Sequence, residues 1–221
     1  MAKYVPEVKG ILRKHVVEVP QVIRESSGIS IFGKRLKSFL FSTDVAIIKN
    51  TNADAVIAVY PFTPQPIITE AILLSADIPV LCGVGGAISP GRRVVNLAHD
   101  AEFKGALGVV LNSPVSNEVI TKIKNTIDIP VVVSVVSKDE DIEARVKAGT
   151  AIFNVSGAEK TVDIVKKIRS KFSEIPIIAT GGPNDDSILK TIRAGANAIT
   201  YTPPTTGEIL SKIMTYYRHE S

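Results

Sequence analysis

The chain has 221 residues, of which 45% are hydrophobic, 22% charged and 5% aromatic, with no Trp. So large an apolar share, with charges of both signs interspersed, excludes a mostly disordered chain, and the single Cys82 excludes a scaffold stapled by internal disulfides. The net charge of +4 is concentrated near the start, in Lys9, Arg13, Lys14, Lys34, Arg35 and Lys37, with no aromatic-rich strand beside it. This suits a solvated face and gives no reason to expect nucleic acid.

Taken in chain order, residues 5–16 read as a helix and 26–33 as a turn with a short strand, a segment placed to plug one end of the fold. Then β-branched runs alternate with helix-period segments. Strand one is 38–41, followed by a short helix at 44–50; strand two is 55–60, with a helix at 66–75. Strand three is 80–83, with a helix at 91–103; strand four is 108–112, with a helix at 116–126. Strand five is 131–135 and its helix 139–148; strand six is 151–155 and its helix 160–172. Strand seven is 177–180 and its helix 185–193; strand eight is 198–201 and the last helix 206–217.

A second regularity overlies the first. Ile78-Pro79, Ile129-Pro130 and Ile175-Pro176 lead into strands three, five and seven, where a missing amide costs the ladder nothing. Gly105, Gly149 and Gly195 lead into strands four, six and eight, where glycine ends the preceding helix in a left-handed conformation. The repeating unit is therefore a βαβα pair, and four pairs close a ring. The expected fold is a single α/β domain, a (β/α)8 TIM barrel over residues 35–221, with residues 1–34 as an N-terminal extension, partly helical, packing on it. Ser137-x-x-Glu140 and Thr205-x-x-Glu208 read as capping boxes at the starts of the fifth and last helices.

In such a barrel the site lies beyond the C-terminal ends of the strands. The residues there include Asn112, Asn154, Ser156, Gly157, Thr180, Thr200 and Thr202, a rim of hydroxyls, carboxamides and glycines with little charge. Gly83-Val84-Gly85-Gly86 forms a glycine loop after strand three, and Arg92 or Arg93 just beyond it is placed to clamp an anion.

The run Ile175-Pro176-Ile177-Ile178-Ala179-Thr180-Gly181-Gly182, continued by Gly195-Ala196-Asn197-Ala198, resembles the last strands of the phosphate-binding (β/α)8 barrel superfamily. Thiamin-phosphate synthase, the keto-deoxy-phosphogluconate aldolases, indole-glycerol-phosphate synthase and FMN-dependent barrels belong to it. The resemblance implies that Gly181 and Gly182 contact a phosphate, with Thr200 and Thr202 near it. Two departures stand against that pattern: Pro203-Pro204 removes amides after strand eight, and Asp185 and Asp186 place carboxylates beside the cup.

Acid/base chemistry has few carriers. Asp44 and Lys138 are the charged candidates next to strand ends, whereas His15 and His99 fall on helices and His219 in the tail. Nothing clusters as metal ligands do, so no metal is expected, and no cofactor is required. The functional reading is a barrel binding a small phosphorylated or carboxylated metabolite at its rim, a lyase or isomerase if catalytic. A non-catalytic ligand-binding barrel and an FMN-binding barrel stay open as alternatives. The first residues carry no apolar signal core, and no apolar run reaches the roughly 20 residues of a membrane span. The expectation is a cytoplasmic protein with a small-molecule ligand, no nucleic-acid or membrane partner, and a surface compatible with homo-oligomers.

Overall fold

Alternation along each short strand decides where its side chains go, because successive residues face opposite sides of a sheet. In the computed structural model, which describes residues 16–86 and 91–220 together with residues 4, 6, 8 and 10, the strands close on themselves. A five-residue 3-10 helix, Gln21–Glu25, comes first, then a hairpin of β1 (Ile29–Ile31) and β2 (Lys34–Leu36). Eight βα units come after it. They are β3 (Ser38–Phe41) and α1 (Val45–Lys49), β4 (Ala55–Ala58) and α2 (Pro66–Ser75), β5 (Val80–Gly86) and α3 (Arg92–Phe103), and β6 (Gly108–Asn112) and α4 (Asn117–Lys124). Then come β7 (Val131–Val135) and α5 (Ile142–Ala148), β8 (Ile152–Val155) and α6 (Thr161–Lys171), β9 (Ile177–Thr180) and α7 (Asp185–Arg193), and β10 (Ala198–Tyr201) and α8 (Thr206–Glu220). Strands β3 to β10 pair in parallel in that order and β10 returns to β3, closing an eight-stranded barrel. This is the TIM-barrel fold.

Residues 5, 7, 9 and 11–15 of the expected helix over 5–16, His15 among them, lie outside the described residues, as does the side chain of His219.

Two apolar clusters hold the ring. Outward residues such as Leu40, Val56, Val109, Leu111, Val133, Phe153 and Ile199 pack under the helices. Inward residues Phe39, Ala55, Ile57, Leu81, Val110, Val132, Ile152, Ile178 and Ala198 fill the barrel, and Ile29, Ile31 and Leu36 of the hairpin join the same cluster from the N-terminal end. The lead-in signals behave as their chemistry requires. The carbonyls of Pro79, Pro130 and Pro176 accept from Val56, Val109 and Phe153 on the preceding strands. Gly105, Gly149 and Gly195 take φ of +88°, +108° and +111°, and the amide after each donates back to a carbonyl five residues earlier.

Several boundaries differ from expectation, β4 ending at Ala58 and β8 starting at Ile152 among them, and two differences have a clear physical cause. β5 continues through the glycine run to Gly86, because a bulge between Gly83 and Gly85 keeps the ladder to β6 in step as far as Asn112. A Cβ on Gly86 would stand 2.0 Å from the Asn112 carbonyl oxygen, so only glycine permits that approach. The Ser137–Glu140 capping box does not form. Helix α5 starts later and is capped by Asp141, whose Oδ1 accepts from Ala144 N at 3.0 Å. The Thr205–Glu208 box does form: Glu208 N donates to Thr205 Oγ1 at 3.2 Å, and Thr205 N donates to Glu208 Oε2 at 2.7 Å.

Candidate functional site

The inward face of each strand extends one step beyond the apolar filling, and there the barrel changes character. Two residues past the inward Val110, Val132, Ile152, Ile178 and Ala198 stand Asn112, Ser134, Asn154, Thr180 and Thr200. On the other three strands the equivalent positions are Phe41, Val59 and Gly83. The mouth is thus a ring with an apolar arc on β3 to β5 and a polar arc on β6 to β10, and it contains no Asp, Glu, Lys, Arg or His.

The polar arc is only partly self-satisfied. Asn154 Nδ2 donates to Ser134 Oγ at 3.3 Å, and Thr180 Oγ1 donates to Ser156 Oγ at 3.3 Å. Asn154 Oδ1 and Thr200 Oγ1 have no hydrogen-bond partner, although Asn154 is 9% and Thr200 7% exposed. Buried polar atoms ordinarily find partners; these two face the mouth, while Ser26 Oγ, Glu140 Oε2 and Thr150 Oγ1 are likewise unpartnered elsewhere. A cavity of about 230 Å³ opens along the apolar arc, lined by Val59, Tyr60, Pro61, Phe62, Pro64, Gly83, Gly85, Gly86 and Asn112, the last being the one polar-arc residue in its lining.

The residues expected to carry a site fall into three groups. Asn112, Asn154, Thr180 and Thr200 lie together in the ring, with Ser156 and the half-buried Gly157 immediately above β8. Gly85 and Gly86 are buried in β5 at the cavity, whereas Arg92 is exposed at the start of α3 and Thr202 is exposed past β10. Gly181 is buried, and a Cβ on it would meet Ile199 and Ile188 at 2.7 and 2.8 Å. Gly182 has φ +88°, and a Cβ there would meet Ser187 Oγ at 2.6 Å. That serine belongs to the capping box of α7, in which Asn184 Oδ1 accepts from Ser187 N at 2.9 Å and Ser187 Oγ accepts from Asn184 N at 3.2 Å. Local packing therefore accounts for both glycines. Beyond β10, Pro203 and Pro204 have no amide and that of Thr205 is committed to Glu208, so this side presents few donors to an anion.

Asp44 is the N-cap of α1. Its Oδ1 accepts from Ala46 N at 2.9 Å and Ile47 N at 3.2 Å, and its Oδ2 accepts from the Thr206 hydroxyl at the start of α8. The Thr206 hydroxyl lowers the carboxyl below the ordinary aspartate range; burial opposes it, and the smaller effects of the Ile47 and Ala46 amides add to the lowering. Lys138 is exposed in the turn after β7, and its carbonyl accepts from Lys167 Nζ. Neither side chain belongs to the ring.

One residue that the sequence pattern misassigns sits at the rim. Glu140 Oε1 accepts from Ser113 Oγ at 3.3 Å and from Val136 N at 3.2 Å, and its Oε2 lies 3.6 Å from Arg145 Nη2. Arg145 in turn donates to the Val115 carbonyl and, at 2.9 Å, to Asn117 Oδ1. The pair ties the loop after β6 to the loop after β7 and so fixes the chain on either side of Asn112 and Ser134. The spacing of Glu140 from Ser137 resembles a cap; Arg145, five residues on, is the signal for an ion pair instead. Among the described residues no group of three or more His, Cys, Asp or Glu could hold a metal ion, and no helix is long and apolar enough to cross a membrane.

No protein-family model matches the chain, and no curated protein matches it in sequence. Solved structures do match in fold. Phosphonopyruvate hydrolase complexed with oxalate and magnesium is 13% identical, with a TM-score of 0.60 over 83% of this chain and 80% of that one. A putative phosphonomutase from Burkholderia cenocepacia J2315 is 13% identical, with a TM-score of 0.62 over 83% and 93%. Mandelate oxidase with (S)-2-phenylpropionate is 15% identical, with a TM-score of 0.63 over 80% and 68%. At such identities the likeness is one of fold.

Proposed function

We propose that this barrel binds a small carboxylated or phosphorylated metabolite in its C-terminal mouth. Asn112, Ser134, Asn154, Thr180 and Thr200 orient the ligand, and Ser156, Gly157, Gly181, Gly182, Thr202 and Arg92 stand at the margin. The pair of unpartnered atoms, Asn154 Oδ1 and Thr200 Oγ1, carries this reading. A buried group left unmatched costs about 1–3 kcal/mol, a cost that a ligand offsets by completing the bond. The solved structures of similar fold are named for small acids of this kind, which supports the same size class.

An uncharged ring recognises and orients a ligand but moves no proton by itself. The reading is therefore foremost one of binding. Turnover as a lyase or isomerase would draw on Asp44, held ionised at neutral pH, or on Lys138. A thermal-shift screen of keto acids and phosphorylated sugars tests binding. At least one such compound stabilises the protein, and Asn154→Leu removes the shift. Turnover of that compound, lost in Asp44→Asn or Lys138→Ala, would make the barrel an enzyme; binding without turnover would make it a receptor. A purified protein that is yellow would move the reading to a flavin, with Gly181 and Gly182 at its phosphate. No shift with any acid or phosphate ester refutes the proposal.

A further inference from the structure

The two arcs of the mouth differ in what they can accept, and this difference specifies the ligand more closely. The cavity on the apolar arc is walled by Val59, Tyr60, Pro61, Phe62 and Pro64 and floored by the glycine backbone of β5. No charged residue lines it. Its volume of about 230 Å³ exceeds the roughly 150 Å³ of a dry apolar cavity that takes benzene. Glycine there lets the neighbouring strands close on β5: a Cβ on Gly83 would stand 3.0 Å from Val59 Cγ2, and one on Gly86 2.0 Å from the Asn112 carbonyl oxygen. The wall is preformed. Tyr60 Oη accepts from Gln65 N at 2.8 Å, closing the loop on itself, and Pro61, Pro64 and Pro66 fix its backbone. Asn112 borders this cavity and also begins the polar arc, which continues through Ser134 to the open Oδ1 of Asn154.

We infer that the ligand is amphipathic: a small acid bearing one ring-sized apolar group, seated on Gly83, Gly85 and Gly86. Its hydrogen-bonding head reaches the polar arc and supplies a donor to Asn154 Oδ1. This inference rests on the mouth being the ligand site and adds the chemical class. Burial against a prearranged wall supplies affinity without the entropy of ordering a loop, whereas the head, meeting only neutral partners, supplies orientation. The ring thus contributes most of the affinity, and a truncated acid keeps the pose of the head but binds weakly.

The test compares matched pairs, phenyllactate with lactate and phenylpyruvate with pyruvate, by protein-observed NMR titration. Ring-bearing acids are expected to saturate at roughly tenfold lower concentration or less, with shifts at the Gly83, Gly85 and Gly86 amides and at the Asn112 side chain. Val59→Phe, which fills the cavity, collapses the difference within each pair. Phe62→Ala, at a largely exposed wall position, reduces it without any risk to the barrel core. Equal saturation of both members of a pair at the mouth overturns the amphipathic class and leaves the binding site standing. If neither member perturbs any residue of the mouth, the site itself is refuted and the class with it.

Discussion

Thr200→Val offers a sharp perturbation, because it should improve the fold while damaging the site. Thr200 is only 7% exposed, and its hydroxyl meets no partner. Replacing that hydroxyl by a methyl group removes the cost of an unmatched polar group, about 1–3 kcal/mol. It also buries one more carbon, worth about 0.8 kcal/mol. Both side chains are β-branched and suit a strand equally, so the backbone is undisturbed. Allowing for relaxation around the hydroxyl, the net gain is about 1–2 kcal/mol, or roughly 2–8 °C in melting temperature for a domain of this size. Scanning calorimetry without ligand reads this directly. The same variant should bind an acid identified by the thermal screen about 2- to 10-fold more weakly, since one hydrogen bond to the ligand is lost. Thr150→Val is the control. Its Oγ1 is equally unpartnered and its residue equally buried, but it stands ahead of β8 at the opposite end of the barrel. It should stabilise without touching affinity. A Thr200→Val protein that melts lower than the parent, or a Thr150→Val protein that binds as poorly as Thr200→Val, refutes the reasoning.

Three further outcomes are expected from the same geometry. Glu140→Ala leaves Arg145 largely buried without its ionic partner, with only the Val115 carbonyl and Asn117 Oδ1 still accepting from it, and urea denaturation should show a loss of about 2–4 kcal/mol; a loss under about 0.5 kcal/mol, the size of an ordinary surface substitution, would mean that the pair does not hold the two loops. Asp44→Ala removes the cap of α1 and should cost about 1 kcal/mol at neutral pH. Because the folded carboxyl titrates below its unfolded value of about 3.9, this contribution is complete above that value and disappears as pH falls through the folded one. Stability measured against pH should therefore converge for parent and variant in strong acid, and a constant gap would contradict the assignment. Burial pushes the Cys82 thiol up to about 12, so a disulfide reagent at about pH 8 should label it only after unfolding; rapid labelling of the native protein would show that the helix layer over β5 opens.

The barrel is legible because its two periodicities are written in different residues. β-branched runs mark the strands, while proline and glycine alternate in leading into them, and β3, β6, β7, β9 and β10 occupy the residues expected for strands one, four, five, seven and eight. β5 reads too short in sequence, since Gly83-Val84-Gly85-Gly86 looks like a loop to any propensity, whereas the bulge and the close approach to Asn112 keep it in the sheet. The α5 cap is misplaced in sequence because Ser137 and Glu140 have the spacing of a capping box, but Glu140 is drawn instead to Ser113, Val136 and Arg145. Of these partners, only Ser113 is brought near by the pairing of β6 with β7; the other two are local. At the site, the polarity of the rim can be read from Asn112, Asn154, Thr180 and Thr200. Which of their atoms are left without partners cannot, because that depends on cross-strand distances. Nor can the cavity on the apolar arc, because residues 59–64 and the glycines of β5 come to line one space only in the fold.

The central claim is that a ligand completes the polar arc. A crystal structure with the tightest-binding acid of the thermal screen tests it most directly. Ordered density is expected inside the mouth, with ligand atoms about 3 Å from Asn154 Oδ1 and from Thr200 Oγ1. Density confined to Gly181 and Gly182 or to the outer loops, with both atoms still unpartnered, would contradict it.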